Sequence, residues 1–216
     1  HTDPVAKGVD VRDILIDFHK QHYSSNLMSL VILGKEDLNT LTDWAIEKFS
    51  AVPNKDLSRP NYNGELVYKP QQLGKLIKAK PIMDNHKMEL NFLIPDDLED
   101  KWDTKPNGYF SHLVGHESKG SIIYYLKQKG WATDLSAGAM TVCQGTSNFY
   151  IEFQLTPKGF ENWQEIIVIT FQYLNFITND EPQKWIWDEI EEMSQVNFKF
   201  KQKMEASKTV STLSNK

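Results

Sequence analysis

Two segments with alternating apolar and polar residues constrain the fold of this chain more than any other sequence feature. In Lys87–Ile94 every second residue is apolar, and the same pattern recurs in Asn148–Leu155. This period of two predicts strands that bury one face and expose the other. The polar residues around Gly145, just before the second strand, are typical of a hairpin loop. Strands joined by short loops pair antiparallel, so we predict an antiparallel sheet.

The other periodic segments predict helices that cover one face of this sheet. Apolar residues three and four apart indicate helices at Val11–Tyr23, after Asp37, from Pro106, after Ser121, from Pro157 and from Pro182. Two short runs, Leu27–Leu33 and Lys75–Lys80, predict further strands, the first of them buried. Strands grouped together with helices on one face define an α+β fold, which is the fold class that we predict.

The segment Pro53–Gln72 interrupts this pattern and predicts a domain boundary. It contains Pro53, Pro60 and Pro70 and has no sustained apolar period. A chain of 216 residues can form one large domain or two small ones. The chain begins without a methionine and ends in a polar segment, Ser207–Lys216, which we expect to be a tail. We therefore expect a piece of a longer protein.

Charge and cysteine content exclude several classes of protein. The net charge of −5 argues against nucleic acid as a partner, because nucleic-acid binding needs basic patches. No apolar run is long enough for a membrane span, and no secretory signal is recognisable, so we expect no membrane association. Cys143 is the single cysteine and predicts a reducing compartment, the cytoplasm.

The stretch Pro106–Ala139 contains the strongest candidate for a binding site. Its segment Trp131–Met140 is small and polar enough to be a strand at the edge of a sheet. An edge strand has unpaired N–H and C=O groups that can accept an extended peptide as an additional strand. Glu117 precedes this strand and provides a carboxylate that can hold a positively charged peptide terminus.

His112 and His116 are the candidates for a metal site, and the sequence favours a structural role for them. Two histidines four residues apart share a helical face, as zinc ligands do. The helical zinc motifs place a glutamate between the histidines, whereas here Glu117 follows the second one. Cys143 has no histidine nearby in sequence, so we interpret it as a packed thiol or a thiol at the edge of the sheet and not as a nucleophile. No nucleophile elbow, phosphate loop or dinucleotide fingerprint is present, so we predict no catalytic residue.

Four sequence strings together resemble one protein family. They are FHKQHYSSNLMSLVILG at Phe18–Gly34, HLVGHE at His112–Glu117, LKQKGW at Leu126–Trp131 and PQKWIWDEI at Pro182–Ile190. The chain resembles insulin-degrading enzyme and the fungal proteases that process the a-factor pheromone. These proteins are zinc metallopeptidases of the M16 group. The resemblance extends from about Val9 to about Lys203.

The resemblance implies how the chain is organised and what surrounds it. Residues 1–61 would be the end of the first M16 domain, and residues 62–216 the first two thirds of the second, non-catalytic domain. The fold would be the antiparallel LuxS/M16 metallohydrolase type, truncated. The zinc motif HxxEH of the family has no counterpart here, so zinc is expected in the parent enzyme and not in this chain. The implied partners are peptide substrates and the remaining M16 domains, and a homodimer of the parent is compatible with the family.

The resemblance also implies an exosite that anchors the N-terminus of a peptide away from the zinc. The matching residues are Gly115, His116, Glu117, Leu135, Ser136 and Ala137. Glu117 would face the α-amino group, with help from the Gly115 carbonyl, and the other three residues would pair with the peptide backbone. Ser118, Ala137 and Ala139 depart from the family pattern, which affects the expected peptide preference. The alternative is a purely structural or docking module that binds no peptide.

Overall fold

The chain divides into two compact units that contain its helices and strands. The computed structural model describes residues 3–61, 67–83, 85–94, 101–143 and 145–215. Within them lie α1 Val11–His22, α2 Leu38–Phe49, β1 His86–Ile94, α3 Pro106–Val114, α4 Ile122–Lys129, β2 Ala132–Cys143, β3 Thr146–Leu155, α5 Pro157–Glu161, α6 Trp163–Asn179, α7 Lys184–Lys199 and α8 Ala206–Ser214. The larger unit is Asn61–Lys199, and the smaller one combines His1–Pro60 with Phe200–Lys216.

The larger unit contains an antiparallel sheet with the strand order β1–β3–β2. Leu90 and Ala137 both pair with Ile151, which fixes the register of the two outer strands against the central one. The register of β2 shifts between Ala132 and Asp134 and again between Thr141 and Cys143, so a bulge interrupts the pairing near each end. The predicted α+β fold with an antiparallel sheet is confirmed.

The core lies between one face of this sheet and helices α3, α4 and α6. On β3 the alternating residues Phe149, Ile151, Phe153 and Leu155 are each exposed by 5% or less. Helices α3 and α4 pack against β2, and α4 also contacts α6. Their buried side chains meet those of β3 in a single cluster. The alternation in sequence therefore identified the buried face of the sheet, because successive side chains of a strand point to opposite sides.

The opposite face of the sheet is polar and is called the outer face below. On this face, Lys87 of β1 forms ion pairs with two carboxylates. The Lys87 ammonium lies 2.6 Å from the Glu152 carboxylate on β3 and 3.3 Å from the Glu89 carboxylate on its own strand. Two carboxylates thus share one ammonium group, which leaves this cluster with one negative charge.

In the smaller unit, a buried serine joins two segments of irregular structure. Ser24 is 1% exposed, and its hydroxyl accepts a hydrogen bond of 2.8 Å from the Lys55 backbone N–H. The Asn26 side chain donates to the Leu57 carbonyl at 2.8 Å, and the Ser25 N–H donates to the Pro53 carbonyl at 3.0 Å. These bonds give the two serines and the asparagine of the YSSNLM string a structural role. They connect the end of α1 to the segment after α2.

The two short apolar runs predicted to be strands form no strand. Residues 28–33 form no regular element, with Leu30 51% and Leu33 55% exposed, and residues 75–80 are irregular and exposed. The prediction of a buried strand at Leu27–Leu33 is therefore wrong for this structure. An apolar run indicates that a segment tends to be buried, but a strand also needs a neighbour to pair its backbone groups.

Each of the six predicted helices is present and in the predicted order, with three local differences. The long helix expected from Pro157 divides at Asn162 into α5 and α6. The last predicted helix begins at Lys184, two residues beyond Pro182. The expected polar tail contains α8, which we did not predict because Ala206–Ser214 has few apolar residues. The caps predicted at Asp37 and Ser121 are present, each accepting a backbone N–H from the first turn.

Candidate functional site

Helix α3 ends in a tight turn that places His116 and Glu117 outside the helix. Pro106 occupies its first turn, where the missing N–H does not matter. The Gly115 N–H donates to the Ser111 carbonyl at 2.8 Å, and a Cβ atom on Gly115 would lie 2.9 Å from that same oxygen. A side chain at position 115 would therefore push the turn open. The turn therefore explains why glycine occupies position 115, independently of any ligand.

The two histidines of this region are held by local contacts. The His116 Nε2 atom lies 2.5 Å from the Ser118 hydroxyl, and the His112 and His116 ring centroids are 5.7 Å apart. Ser118, one of the three residues that depart from the family pattern, thus engages the imidazole next to Glu117. This contact orients His116 along the turn.

Glu117 forms an ion pair that sequence reasoning missed. Its Oε2 atom lies 2.8 Å from the Lys127 ammonium of α4, and the side chains are 61% and 40% exposed, respectively. The hydrogen bond and the positive charge of Lys127 lower the pKa of the Glu117 carboxyl. Glu117 is therefore a carboxylate at neutral pH, accessible to solvent, and already shaped to accept an ammonium group. Its partner is ten residues away in sequence, outside the spacing of any helical pair.

Helix α4 connects this turn to the edge strand. The Ser121 hydroxyl caps its first turn by accepting the Tyr124 N–H at 3.2 Å. Gly130 ends the helix in the left-handed region, with φ of 68°, and the Trp131 N–H donates to the Leu126 carbonyl at 2.9 Å. This helix end is the conformation that glycine favours. It turns the chain directly into β2.

Among the described residues, strand β2 has a neighbouring strand on one side only. Leu135, Ser136 and Ala137 pair with Phe153, Glu152 and Ile151 of β3. On the other side of β2, the described residues provide no strand. Leu135 is buried, Ala137 packs against the core and Ser136 is exposed on the outer face. Every second residue of an outer strand directs its N–H and C=O away from its neighbour.

The structure puts the two halves of the predicted site on adjacent elements without joining them directly. Gly115, His116 and Glu117 follow α3, Lys127 lies on α4, and both helices pack against β2. Among the contacts of the described residues, no hydrogen bond links Glu117 to β2. A ligand that uses both halves would therefore bridge them. Sequence reasoning placed each half correctly on a turn and on an outer strand.

No group of three or more His, Cys, Asp and Glu side chains in residues 3–61, 67–83, 85–94, 101–143 and 145–215 has the arrangement of a metal site. None of the helices in these ranges combines the length and apolar composition that crossing a membrane requires.

Sequence comparison identifies similar proteins along nearly the whole chain. A family profile described as Peptidase M16 inactive domain matches residues 10–193. The A-factor-processing enzyme of Saccharomyces cerevisiae is 44% identical over 212 residues, which are 98% of this chain and 20% of that protein. The insulin-degrading enzyme of Homo sapiens is 37% identical over 202 residues, which are 94% of this chain and 20% of that protein. The chain spans about a fifth of the length of these relatives.

Comparison with solved structures gives the same picture of the fold. The crystal structure of pitrilysin matches with a TM-score of 0.75 over 97% of this chain and 22% of the pitrilysin chain. The two sequences are 23% identical over this match, so the likeness concerns the fold alone. It confirms the predicted architecture.

Proposed function

The chain belongs to the peptidase M16 family and matches its inactive domain, and we propose that it anchors peptide substrates for a zinc metalloendopeptidase without performing catalysis. The observation that carries this proposal is the position of β2 at the edge of the sheet. Strand β2 is the last strand of the described sheet, so its outer backbone groups face away from β3. The helices that pack against it lead to Glu117. A peptide that binds there would extend the sheet by one strand.

In this proposal, Glu117 holds the α-amino group of the peptide. Its exposed carboxylate already accepts one ammonium group, that of Lys127, at 2.8 Å. A peptide amino group would bind the same carboxylate, and the Gly115 carbonyl, at the end of α3, would accept a second hydrogen bond. Leu135, Ser136 and Ala137 would supply the backbone bonds. Each of these adds about 0.5–1.5 kcal/mol, so several are needed for useful affinity.

The chemical step would take place elsewhere in a longer protein. Binding energy from a remote contact serves to position the bond to be cleaved, whereas the groups that break the bond lie elsewhere. The described residues contain no cluster that fits zinc, and the sequence contains no HxxEH string, so this chain does not fit the role of the zinc-binding domain. Relatives are named zinc proteases, which supports zinc in the parent enzyme.

The first test of the anchor is the substitution Glu117→Gln. It removes the negative charge and keeps the size of the side chain, so a peptide with a free amino terminus should bind about two- to fivefold more weakly. The measurement is fluorescence anisotropy of a peptide labelled at its C-terminal end. An N-acetylated peptide should bind equally well to both proteins, because it has no ammonium group for Glu117 to recognise. Glu161→Gln, an exposed change on α5, is the matched control. Equal effects on both peptides would contradict the anchor.

The second test removes the ion pair between Glu117 and Lys127. Lys127→Met frees the carboxylate from its internal cation, so the free-amine peptide should bind about two- to fivefold more tightly at low ionic strength. Lys129→Met makes the same change of charge two residues away and should have a smaller effect. Weaker binding after Lys127→Met would mean that Lys127 orients Glu117 for the ligand and does not compete with it.

A purely structural role is the second candidate, and the exposed aromatic residues of α6 and α7 favour it. Phe176, Trp185 and Phe198 are 64%, 65% and 84% exposed. Apolar surface of this extent is typical of a face that packs against other protein. We propose the remaining M16 domains as its partners, and this role is compatible with peptide anchoring. If no peptide binds to the chain with an affinity that depends on its free amino terminus, the structural role alone remains.

Three further proposals follow from the family resemblance. Residues 1–61 would be the end of the first M16 domain, and residues 62–216 most of the second. A homodimer of the parent is compatible with this resemblance. Its location would be the cytoplasm, although a plant relative is named peroxisomal.

A further inference from the structure

The outer face of the sheet has an unusual contact between the central strand and β2. Gly138 on β2 pairs with Tyr150 on β3. A Cβ atom on Gly138 would lie 3.1 Å from the Tyr150 hydroxyl oxygen and 3.3 Å from two of its ring carbons. The Tyr150 side chain therefore crosses from its own strand and lies over Gly138. The absence of a side chain at position 138 makes the room for it.

The Tyr150 hydroxyl is available to a ligand. Neither a backbone nor a side-chain group in the described part of the chain forms a hydrogen bond with it. A phenol hydroxyl can both donate and accept hydrogen bonds. Since the hydroxyl already lies over the outer strand, a peptide strand added to β2 would pass within about one strand spacing, about 4.8 Å, of it. The side chain of the peptide residue opposite Gly138 would then face this hydroxyl.

The neighbouring charges favour a cation at this place. Ser136 and Glu152 form the next pair along the same face, and Glu152 belongs to the cluster in which Lys87 serves two carboxylates. The net negative charge of this cluster attracts a positively charged side chain and repels a carboxylate. The Tyr150 hydroxyl can accept a hydrogen bond from such a cation, and its ring provides a further favourable surface.

We propose that Tyr150 is a specificity-determining residue of the anchoring site and selects peptides with lysine or arginine at the position opposite Gly138. The inference rests on the proposed function, because it requires a peptide strand on β2. It adds the class of side chain that the site prefers. Ser136 and Ala137 contribute backbone groups, which cannot distinguish one peptide sequence from another, whereas Tyr150 can.

The test is a scan of peptides that carry a single lysine or glutamate at successive positions, with a free amino terminus throughout. For the wild-type chain, the lysine peptide should bind about threefold more tightly than the glutamate peptide at the position facing Tyr150. Tyr150→Phe should reduce this ratio at that position and leave the others unchanged. Tyr68→Phe, an exposed tyrosine in the segment before the sheet, is the matched control. Gly138→Ala should also reduce the ratio, because its methyl group displaces the ring while the hydroxyl remains.

The outcomes separate this inference from the proposed function. If binding depends on the free amino terminus and on Glu117, but the lysine preference is absent or unaffected by Tyr150→Phe and Gly138→Ala, the inference fails and the anchor stands. If the peptides bind without any dependence on the amino terminus, or do not bind, the anchor fails and the inference fails with it. Circular dichroism spectra of both variants establish that the fold is retained.

Discussion

Gly159→Ala is expected to destabilise the larger unit by about 3 kcal/mol, the upper part of the range for overpacking in a buried site. Gly159 is buried in α5, and a Cβ atom there would lie 1.8 Å from the Trp131 carbonyl oxygen and 2.7 Å from its carbon. Both atoms belong to backbone, which cannot rotate away as a side chain can. Alanine is favoured over glycine in a helix by about 1 kcal/mol, which is too little to offset this clash. Urea unfolding followed by circular dichroism measures the loss.

Gly108→Ala is the matched control for this substitution. Gly108 lies in α3, where a Cβ atom would approach nothing closer than the Lys105 Cβ at 3.9 Å. The same change should therefore leave the stability equal or raise it slightly, by up to about 1 kcal/mol. Equal stability of Gly159→Ala and Gly108→Ala would contradict the close approach of α5 to the start of β2.

The clash would also affect the proposed peptide-binding site, because it would displace the first residues of β2. The Trp131 carbonyl accepts the Thr156 N–H at 3.0 Å, and the Thr156 hydroxyl donates to the Gly130 carbonyl at 2.7 Å. The Gly159 N–H in turn donates to the Thr156 hydroxyl oxygen at 3.0 Å. These bonds fix the end of α4 and the beginning of β2 against α5.

N-methylation of a bound peptide at single amides is expected to weaken binding at every second position, by about tenfold or more at each. In strand addition, alternate N–H groups of the peptide point toward β2 and the others point away. A methyl group on an inward amide removes a donor and occupies the narrow space between strands, which are about 4.8 Å apart. The measurement is again anisotropy, with each amide of one peptide methylated in turn.

The intervening amides serve as internal controls in this scan. Methylation there leaves the bonds to β2 intact, so affinity should change little. A uniform loss at all positions would mean that the methyl groups merely restrict the free peptide. No loss anywhere would mean that the peptide does not bind as a strand, whatever Glu117 does.

The regular parts of this fold could be predicted because their cause is local. Alternation in β1 and β3 identified the strands and their buried face. Ser121 and Gly130 defined the ends of α4, since their side chain and backbone conformation satisfy the terminal groups of the helix. Leu27–Leu33 had the right composition for a strand and still did not become one, because pairing depends on a partner elsewhere. The division at Asn162 has no such signal in the sequence.

The candidate site was predictable in its parts and not in its connections. The family resemblance indicated Glu117 and the strand after Trp131, and composition indicated an edge. The ion pair of Glu117 with Lys127 joins two elements ten residues apart, and Tyr150 reaches Gly138 across a strand boundary. Such contacts depend on how elements pack, which a single sequence does not specify. They are also the contacts that give the site its selectivity in our proposals.

The two bulges of β2 limit the length of the peptide strand that could pair with this edge of the sheet. Between them lies the uninterrupted run Asp134–Thr141, which corresponds to about 27 Å of strand. Beyond either end the backbone turns out of line and no longer offers evenly spaced partners. In the proposed mode of binding, the edge would therefore pair with a peptide segment of limited length, and residues of the peptide beyond it would be free to reach a distant site of cleavage.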